Sequence, residues 1–426
     1  MAISARPAPA VERRGVLMAT LFAAQVCGST GHSMSMAVGG ILAADITGTN
    51  AWTGLPVAIG ALGAALASWP LSRLMGRVGR RPGLTLGYGL AVVGALLGIA
   101  GVLTRSFALL LVGMALFGVA STSNLLARYA AADVTASAHR GRAMGLIVWG
   151  STLGSILGPT LMPGAVRAGA LLGLSPVASA FLISVTGFAL AALLVEALLR
   201  PDPLAIARAL DTRAALDRLA APARRLGEIL GDVRVRIAVG TLMASQVVMI
   251  GTTSTSPVHL RDHGGSVSTI GLAVGMHLGG MYIASPLSGW LCDRFGRLPV
   301  IAGGGVLLLA AVFVAGVPPG SESGLVIVGL FLNGVGWNLA FVAGSALLTD
   351  ALSPDERTSV QGLADLVMGL MGALGSAVGG MVLGAWGFAA LNALGGGVVC
   401  GGLAALWLYR PGRVSVAIPL GGQPER

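Results

Sequence analysis

The chain has 426 residues, 55% of them hydrophobic and 10% charged, with a mean hydropathy of +0.84. A water-soluble domain carries about 25% charged residues, so this chain has too few polar side chains to coat a core in water, and lipid is the solvent it fits. All 27 basic residues are arginine, which removes every mechanism that needs a lysine; the net charge of +10 lies in short clusters between apolar runs with almost no aromatic interleaving, which excludes nucleic acid as a partner.

A membrane helix needs about 20 predominantly apolar residues to cross roughly 30 Å of hydrocarbon. Twelve runs qualify: 16–43, 52–71, 84–103, 107–129, 143–163, 176–199, 237–257, 267–290, 299–317, 324–348, 360–385 and 388–408. They are too long and too uniformly apolar for barrel strands, so the expected fold class is an all-α bundle of twelve spans. Arg13 and Arg14 precede the first run without a convincing small-residue cleavage site, and that run is read as a retained span. Cys27, Cys292 and Cys400 are too far apart for a disulfide framework or a metal cluster.

Placing the N-terminus inside puts 24 arginines on the cytoplasmic side and leaves Arg105, Arg167 and Arg261 outside, a strong positive-inside bias. The one long hydrophilic segment, 201–236, interleaves Arg208, Arg213, Arg218, Arg224 and Arg225 with acids and leucines. It is expected to form one or two amphipathic helices on the inner membrane surface, tethering a 1–200 half to a 237–410 half, with a cytoplasmic tail over 411–426.

The halves are related by a repeat. Arg77, Gly79, Arg80 and Pro82 map onto Arg294, Gly296, Arg297 and Pro299 at an offset of 217 residues. The same offset carries Asp133, Arg140 and Gly145 onto Asp350, Arg357 and Gly362. Two homologous six-helix units with a site between them is a known transporter layout.

Gly289 to Arg297 reads G-x-x-x-D-R-x-G-R, and the chain therefore resembles the major facilitator superfamily, whose signature stands between the second and third helices of each half. The first-half copy departs from it, with Ser72 and Gly76 where the pattern has glycine and aspartate. The resemblance implies a cytoplasmic gate built from Arg73, Arg77, Gly79, Arg80, Arg140, Asp293, Arg294, Gly296, Arg297 and Arg357. Asp293 is expected to pair with Arg297 or to cap the N-terminus of span five near Arg140 and Arg142. Because Gly76 carries no charge, Arg73 or Arg77 is expected to find Asp365 or Glu356 instead.

Polar side chains inside a membrane mark cavities, relays or interhelical bonds. Gln25, Ser29, His32 and Met36 share one face of span one, and Gln246, Met249 and Thr253 one face of span seven. Span ten carries Asn333, Trp337 and Phe341 on one face with Asn338 beside it, and span four carries Asn124 and Arg128. In the family it resembles, these spans line the central cavity. The expected substrate contacts are thus Gln25, Ser29, His32, Asn124, Gln246, Asn333, Trp337 and Asn338, with Arg128 as a group to steer an anion.

Titratable groups within the spans are His32, His277 and Asp365. Asp365, with Gln361 one turn earlier to hydrogen-bond it, reads either as a proton carrier or as a structural latch, and His32 as a second carrier or an interhelical bond. Gly145, Gly154, Gly158 and Pro159 in span five resemble the antiporter motif of proton-coupled exporters, although Met162-Pro163 replaces its closing glycines and Met114 its arginine in span four. The expectation is a multi-pass, monomeric secondary transporter of a bacterial cytoplasmic membrane, exporting an amphiphilic small molecule against protons. A proton-coupled importer or uniporter and a transport-inactive sensor on the same fold are the alternatives. No catalytic constellation, metal cluster or cofactor is expected.

Overall fold

A computed structural model describes residues 13–49, 52–215, 224–316 and 323–408, and every long element in them is helical. The first six are α1 (Arg14–Thr47), α2 (Leu55–Val78), α3 (Arg80–Leu103), α4 (Phe107–Asp133), α5 (Arg140–Leu171) and α6 (Ala180–Leu198). Two short helices follow, α7 (Pro203–Ala215) and α8 (Leu226–Gly231). The rest are α9 (Val233–Asp262), α10 (Val267–Tyr282), α11 (Ser285–Phe295), α12 (Arg297–Gly316), α13 (Ser323–Asp350) and α14 (Pro354–Leu408).

Among the described residues, ten stretches are long and apolar enough to cross a membrane. They include α10 with α11 as one stretch and the 55 residues of α14, which Gly387, at φ 79°, divides where the sequence placed a junction. With the 34-residue α1 and both arms of α14, the elements are consistent with twelve spans.

The helices outrun the apolar runs at the arginine-rich face, because the loops there are almost entirely helical. Between α2 and α3 only Gly79 breaks the helical path, at φ 107°, and between α11 and α12 only Gly296, at φ 89°. That region strains any residue with a Cβ, and both positions obey the 217-residue offset. One core cluster is drawn mainly from α1–α6 and two more mainly from α8–α14; Ala346 and Val148 cross between the sets.

The linker differs from expectation. The helix that carries span seven starts at Val233, ahead of the apolar run at 237. Helix α7 turns Leu204, Ile206 and Ala207 into the protein rather than onto the bilayer surface. The cause is Asp202, whose carboxylate accepts the backbone N–H groups of Arg80 (3.1 Å) and Arg81 (2.8 Å) and so pins the start of α7 to the N-terminus of α3. Arg218 and the 411–426 tail lie outside the described residues.

Candidate functional site

At the arginine-rich face the repeat builds the same device twice. Arg80 Nε donates to Asp133 at 2.8 Å, and Arg357 Nη1, from the other set of helices, reaches the second oxygen of Asp133 at 3.2 Å. Arg297 Nε donates to Asp350 at 3.0 Å, and Arg140 Nη1 reaches its other oxygen at 2.6 Å. Each aspartate thus closes its own half and clamps the opposite one. The first triad is the drier: Arg80 and Asp133 are 0% exposed, whereas the Arg297 and Asp350 side chains are 12% and 22% exposed.

The departure from the signature also has a structural counterpart. Asp293 caps α5 from across the interface, accepting the N–H of Gly141 at 2.9 Å and of Arg142 at 3.0 Å, and it pairs with Arg297 at 3.2 Å. Gly76, at the equivalent position, has no carboxylate to offer α14. Ser72 instead donates to the Thr358 carbonyl. The linker supplies the charge: Arg208 bonds the Gly76 carbonyl at 3.1 Å and Asp355 in the first turn of α14 at 2.8 Å.

The pairing expected of Arg73 or Arg77 does not form. Arg73 lies over the Trp69 ring, Arg77 is exposed, Glu356 pairs with Arg224 at 2.7 Å, and Asp365 is held elsewhere. The reason is steric. A Cβ on Gly362 would run into Ser72, and one on Gly141 would lie 2.6 Å from the Gly289 carbonyl oxygen. Backbones this close leave no room for a long side chain to cross. Arg294 is exposed at the rim.

Inward of the triads, Arg128 of α4 meets Asp365 of α14 at 2.7 Å, and both side chains are buried. Arg128 also donates to Ser345 Oγ at 3.1 Å, to the Tyr129 hydroxyl at 3.0 Å and to the Leu125 carbonyl. Its guanidinium carbon stands 4.1 Å from the Tyr129 ring centre and 4.3 Å from that of Phe341, a cation–π sandwich. Arg128 is therefore fully engaged with protein partners in this form. The second oxygen of Asp365 is buried without a partner, and Gln361 does not serve it. The Gln361 amide accepts from Arg80 at 2.7 Å and donates to Thr349 at 3.1 Å, tying it to the triad above. Ser345 lies 217 residues after Arg128 and meets it, a partner that the repeat offset itself identifies and that composition could not.

The other expected contacts separate by role. Gln25 donates to Ser151 at 2.8 Å beside Ser29, joining α1 to α5. Trp337 donates to Gln246 at 2.8 Å and stacks on Phe341 at 4.6 Å between ring centres. Asn333, one turn before Trp337, is 0% exposed and neither amide atom has a partner; His32 Nδ1 is likewise buried and unpartnered. Asn124 accepts from the Tyr88 hydroxyl at 2.9 Å. Asn338 is a correction: it donates to the Met281 carbonyl (2.6 Å) and to Ser285 (2.7 Å) and accepts from Ser288 (2.5 Å), so it staples α13 to α10 and α11, buried, with both amide hydrogens committed to the protein. His277, between Thr253 and the Leu330 carbonyl, is satisfied in the same way.

In the antiporter-like stretch, a Cβ on Gly145 would strike the Ser285 carbonyl, while Gly154 and Gly158 seat α5 against Ser29, Thr30, Ser33 and Met34 of α1. Helix α5 runs through Pro159 to Leu171. Among the described residues no group of three or more metal-ligating side chains is present.

The Major Facilitator Superfamily model matches residues 21–264 and again 237–424. An uncharacterized MFS-type transporter of Bacillus subtilis (strain 168), YdeG, is 32% identical over 390 residues, 90% of each chain. The riboflavin transporter RfnT of Brucella anthropi is 29% identical over 418 residues, 96% of this chain and 95% of its own. Among solved structures, the proton:xylose symporter XylE superposes with a TM-score of 0.73 at 16% identity, covering 92% of this chain and 95% of that one. With paired triads at one face and a buried ion pair between two sets of six helices, this chain belongs to the major facilitator superfamily of membrane transporters.

Proposed function

We propose that the chain exports a small amphiphilic compound across the bacterial cytoplasmic membrane in exchange for protons. In this reading the halves 1–200 and 237–410 rock about a site at their interface, with both termini in the cytoplasm. The arginine-rich face is then the cytoplasmic one, and the form described above, clamped at that face, is outward-facing. The observation that carries the reading is the Arg128–Asp365 pair: it joins the two halves, is wholly buried and leaves one carboxylate oxygen unpartnered.

A charge in such a place is stable only while paired, since an isolated buried ion costs several kcal/mol. A proton entering from outside binds the free oxygen of Asp365 and cancels its charge, which weakens its hold on Arg128. That loosens the link between halves, so the cytoplasmic face opens. The proton leaves there, cargo binds in its place, and the reformed pair returns the protein to the outward-facing form. The glycines that seat α5 on α1 and the antiporter-like motif they belong to support export.

A second reading has its own support. The relative named for riboflavin matches almost the whole chain, and the stacked Trp337–Phe341 pair beside the unpartnered Asn333 suits a planar heteroaromatic metabolite. On that reading proton and metabolite both load from outside and leave together at the arginine-rich face, so the cycle is import by symport. Proteoliposomes decide between them: a panel of amphiphilic dyes and riboflavin, followed with and without an imposed pH gradient in both protein orientations. Export requires gradient-driven movement of a dye from the arginine-rich side; gradient-driven riboflavin entry from the other side alone would overturn it.

A further inference from the structure

Between the gate and the buried pair runs a ring of hydrogen bonds that the transport cycle does not use. Arg80 Nη2 donates to Gln361 at 2.7 Å, and the Gln361 amide donates to the Thr349 hydroxyl at 3.1 Å. Thr349 donates to the Ser345 carbonyl at 2.8 Å, and Ser345 Oγ accepts from Arg128 at 3.1 Å. Arg128 holds Asp365 at 2.7 Å, and the turn of α14 between Asp365 and Gln361 closes the ring. None of the six residues is more than 2% exposed.

The two arginines belong to one half and the other four members to the other. Arg80 commits Nε to Asp133, and its Nη1 is buried without a partner, so Gln361 is the side-chain bond that carries Arg80 across the interface. The second gate is built without this link. Arg297, the repeat copy of Arg80, bonds Asp350, Asp293 and two backbone carbonyls, while Met144 and Ala132 stand at the positions of Gln361 and Thr349. A triad therefore holds with no amide beneath it. A dry amide costs free energy unless it is bonded, and this chain places one only under the triad that adjoins the Arg128–Asp365 pair.

We propose that Gln361 is a positioning residue that ties the Arg128–Asp365 pair to the Arg80–Asp133–Arg357 triad, so that releasing one releases the other. Its amide carries no charge and takes no proton. It acts by geometry, holding Arg80 with its oxygen and Thr349 with its nitrogen, and it loses Arg80 when α14 moves away from α3. A fully bonded buried network of this kind is worth more than the sum of its pairs. The inference rests on the pair and the gate joining the two halves and needs neither proton coupling nor a transport direction.

Maleimide labelling of Cys292, with Cys27 and Cys400 changed to serine, tests it, because Cys292 lies at the other seam, against Gly141 of α5. Asp365→Asn should speed labelling on the order of a hundredfold, the loss of one member of a buried ion pair. Gln361→Met, which gives this gate the residue of the other, should speed it about tenfold, the loss of a hydrogen bond to a charged group. The double variant should be no faster than Asp365→Asn, because the link is already broken. Thr349→Val, of the same shape without the hydroxyl, should speed labelling severalfold and Thr349→Ser should restore the unaltered rate, with melting temperatures confirming that each variant is folded. If Asp365→Asn speeds labelling but Gln361→Met does not, Gln361 supports only its own triad and the inference is overturned. A double variant on the order of a thousandfold faster, the product of two independent effects, overturns it equally. No response to Asp365→Asn either would overturn the clamp reading along with it.

Discussion

Replacing Asp365 by Asn removes a charge while nearly preserving shape. Arg128 is left in place, buried, with its bonds to Ser345, Tyr129 and Leu125 and its contacts to two aromatic rings intact. Breaking a buried pair from one side costs about 3–5 kcal/mol, and those remaining partners, with a new amide acceptor 2.7 Å away at best, put the expected loss at the lower end, about 3 kcal/mol. At about 1.4 kcal/mol per tenfold, the clamped form should lose on the order of a hundredfold in population against the open one. Thermal unfolding gives the stability cost, and transport in proteoliposomes gives the functional one: gradient-driven movement should vanish while substrate exchange persists. The decisive comparison is Arg128→Met with Asp365→Leu, which removes both charges. Because apolar replacement of a whole buried pair is often neutral, the double variant should melt above either single one yet remain uncoupled from the pH gradient. If it melts below both singles, or if Asp365→Asn still accumulates substrate against a pH gradient, the pair is neither the strut nor the coupling group argued here.

Further outcomes follow from the gate and the linker. Asp293→Asn weakens the cap on α5, a contribution of about 0.3–2 kcal/mol; with Cys27 and Cys400 changed to serine, maleimide labelling of Cys292, buried at this seam, should accelerate severalfold, and an unchanged rate would remove Asp293 from the gate. Gly141→Val should prop the same seam open and speed labelling further, because the added side chain meets the backbone of α11. Asn338→Ala should lower stability by about 1–3 kcal/mol through the partners it strands while leaving substrate selectivity unchanged; an altered substrate range would return Asn338 to the cargo site. At the linker, burial pushes the Asp232 carboxyl up, but the hydrogen bonds from Arg234 and the nearby charge of Arg224 hold it below its ordinary value of 3.8. A lowered value contributes stability above 3.8 that is lost only as pH falls through the folded value. Protection of the linker against trypsin should therefore be flat from pH 5 to 8, so that pH dependence of transport in that window arises elsewhere.

What could be read from the sequence depended on whether the signal was local. Gly79 and Gly296 are legible because a helix break needs a residue without a Cβ, and Arg80, Asp133 and Arg357 because the repeat doubles every member of their triad. Asp365 stood out as an acid in an apolar run, yet its partner lies 237 residues away, and nothing local distinguishes Arg128 from an anion-steering group. Asn338 was misplaced for a related reason: spacing gives the helix face but not whether the next helix already satisfies it, and α10 and α11 do. The inward packing of α7 turned on Asp202, whose bonds to the N-terminus of α3 no linker composition foretells. Arg73 and Arg77 went astray because sequence shows charge but not the lack of space beside Gly362.

The repeat also locates function by where it fails. The triads obey the 217-residue offset, and so do the close approaches of Gly141 to Gly289 and of Ser72 to Thr358. A symmetric clamp can hold two halves together, but by itself it gives no direction and couples to no ion. Two features break the symmetry. Asp293 has Gly76 as its counterpart, so one side of the gate is capped by the opposite half and the other is bridged through the linker by Arg208. Arg128 and Asp365 have Ser345 and Val148 as theirs, so the buried pair that, among the described residues, links the halves inward of the triads has no copy. Arg128 lies against its own repeat equivalent, Ser345, at 3.1 Å, which puts the pair close to the pseudo-two-fold axis. A single titratable acid there acts on both halves with equal leverage, whereas at a triad it would disturb one clamp and leave the other shut. In the proposed cycle energy coupling is therefore assigned to Asp365 rather than to Asp133 or Asp350, and protonating either of those should loosen the gate without driving a cycle.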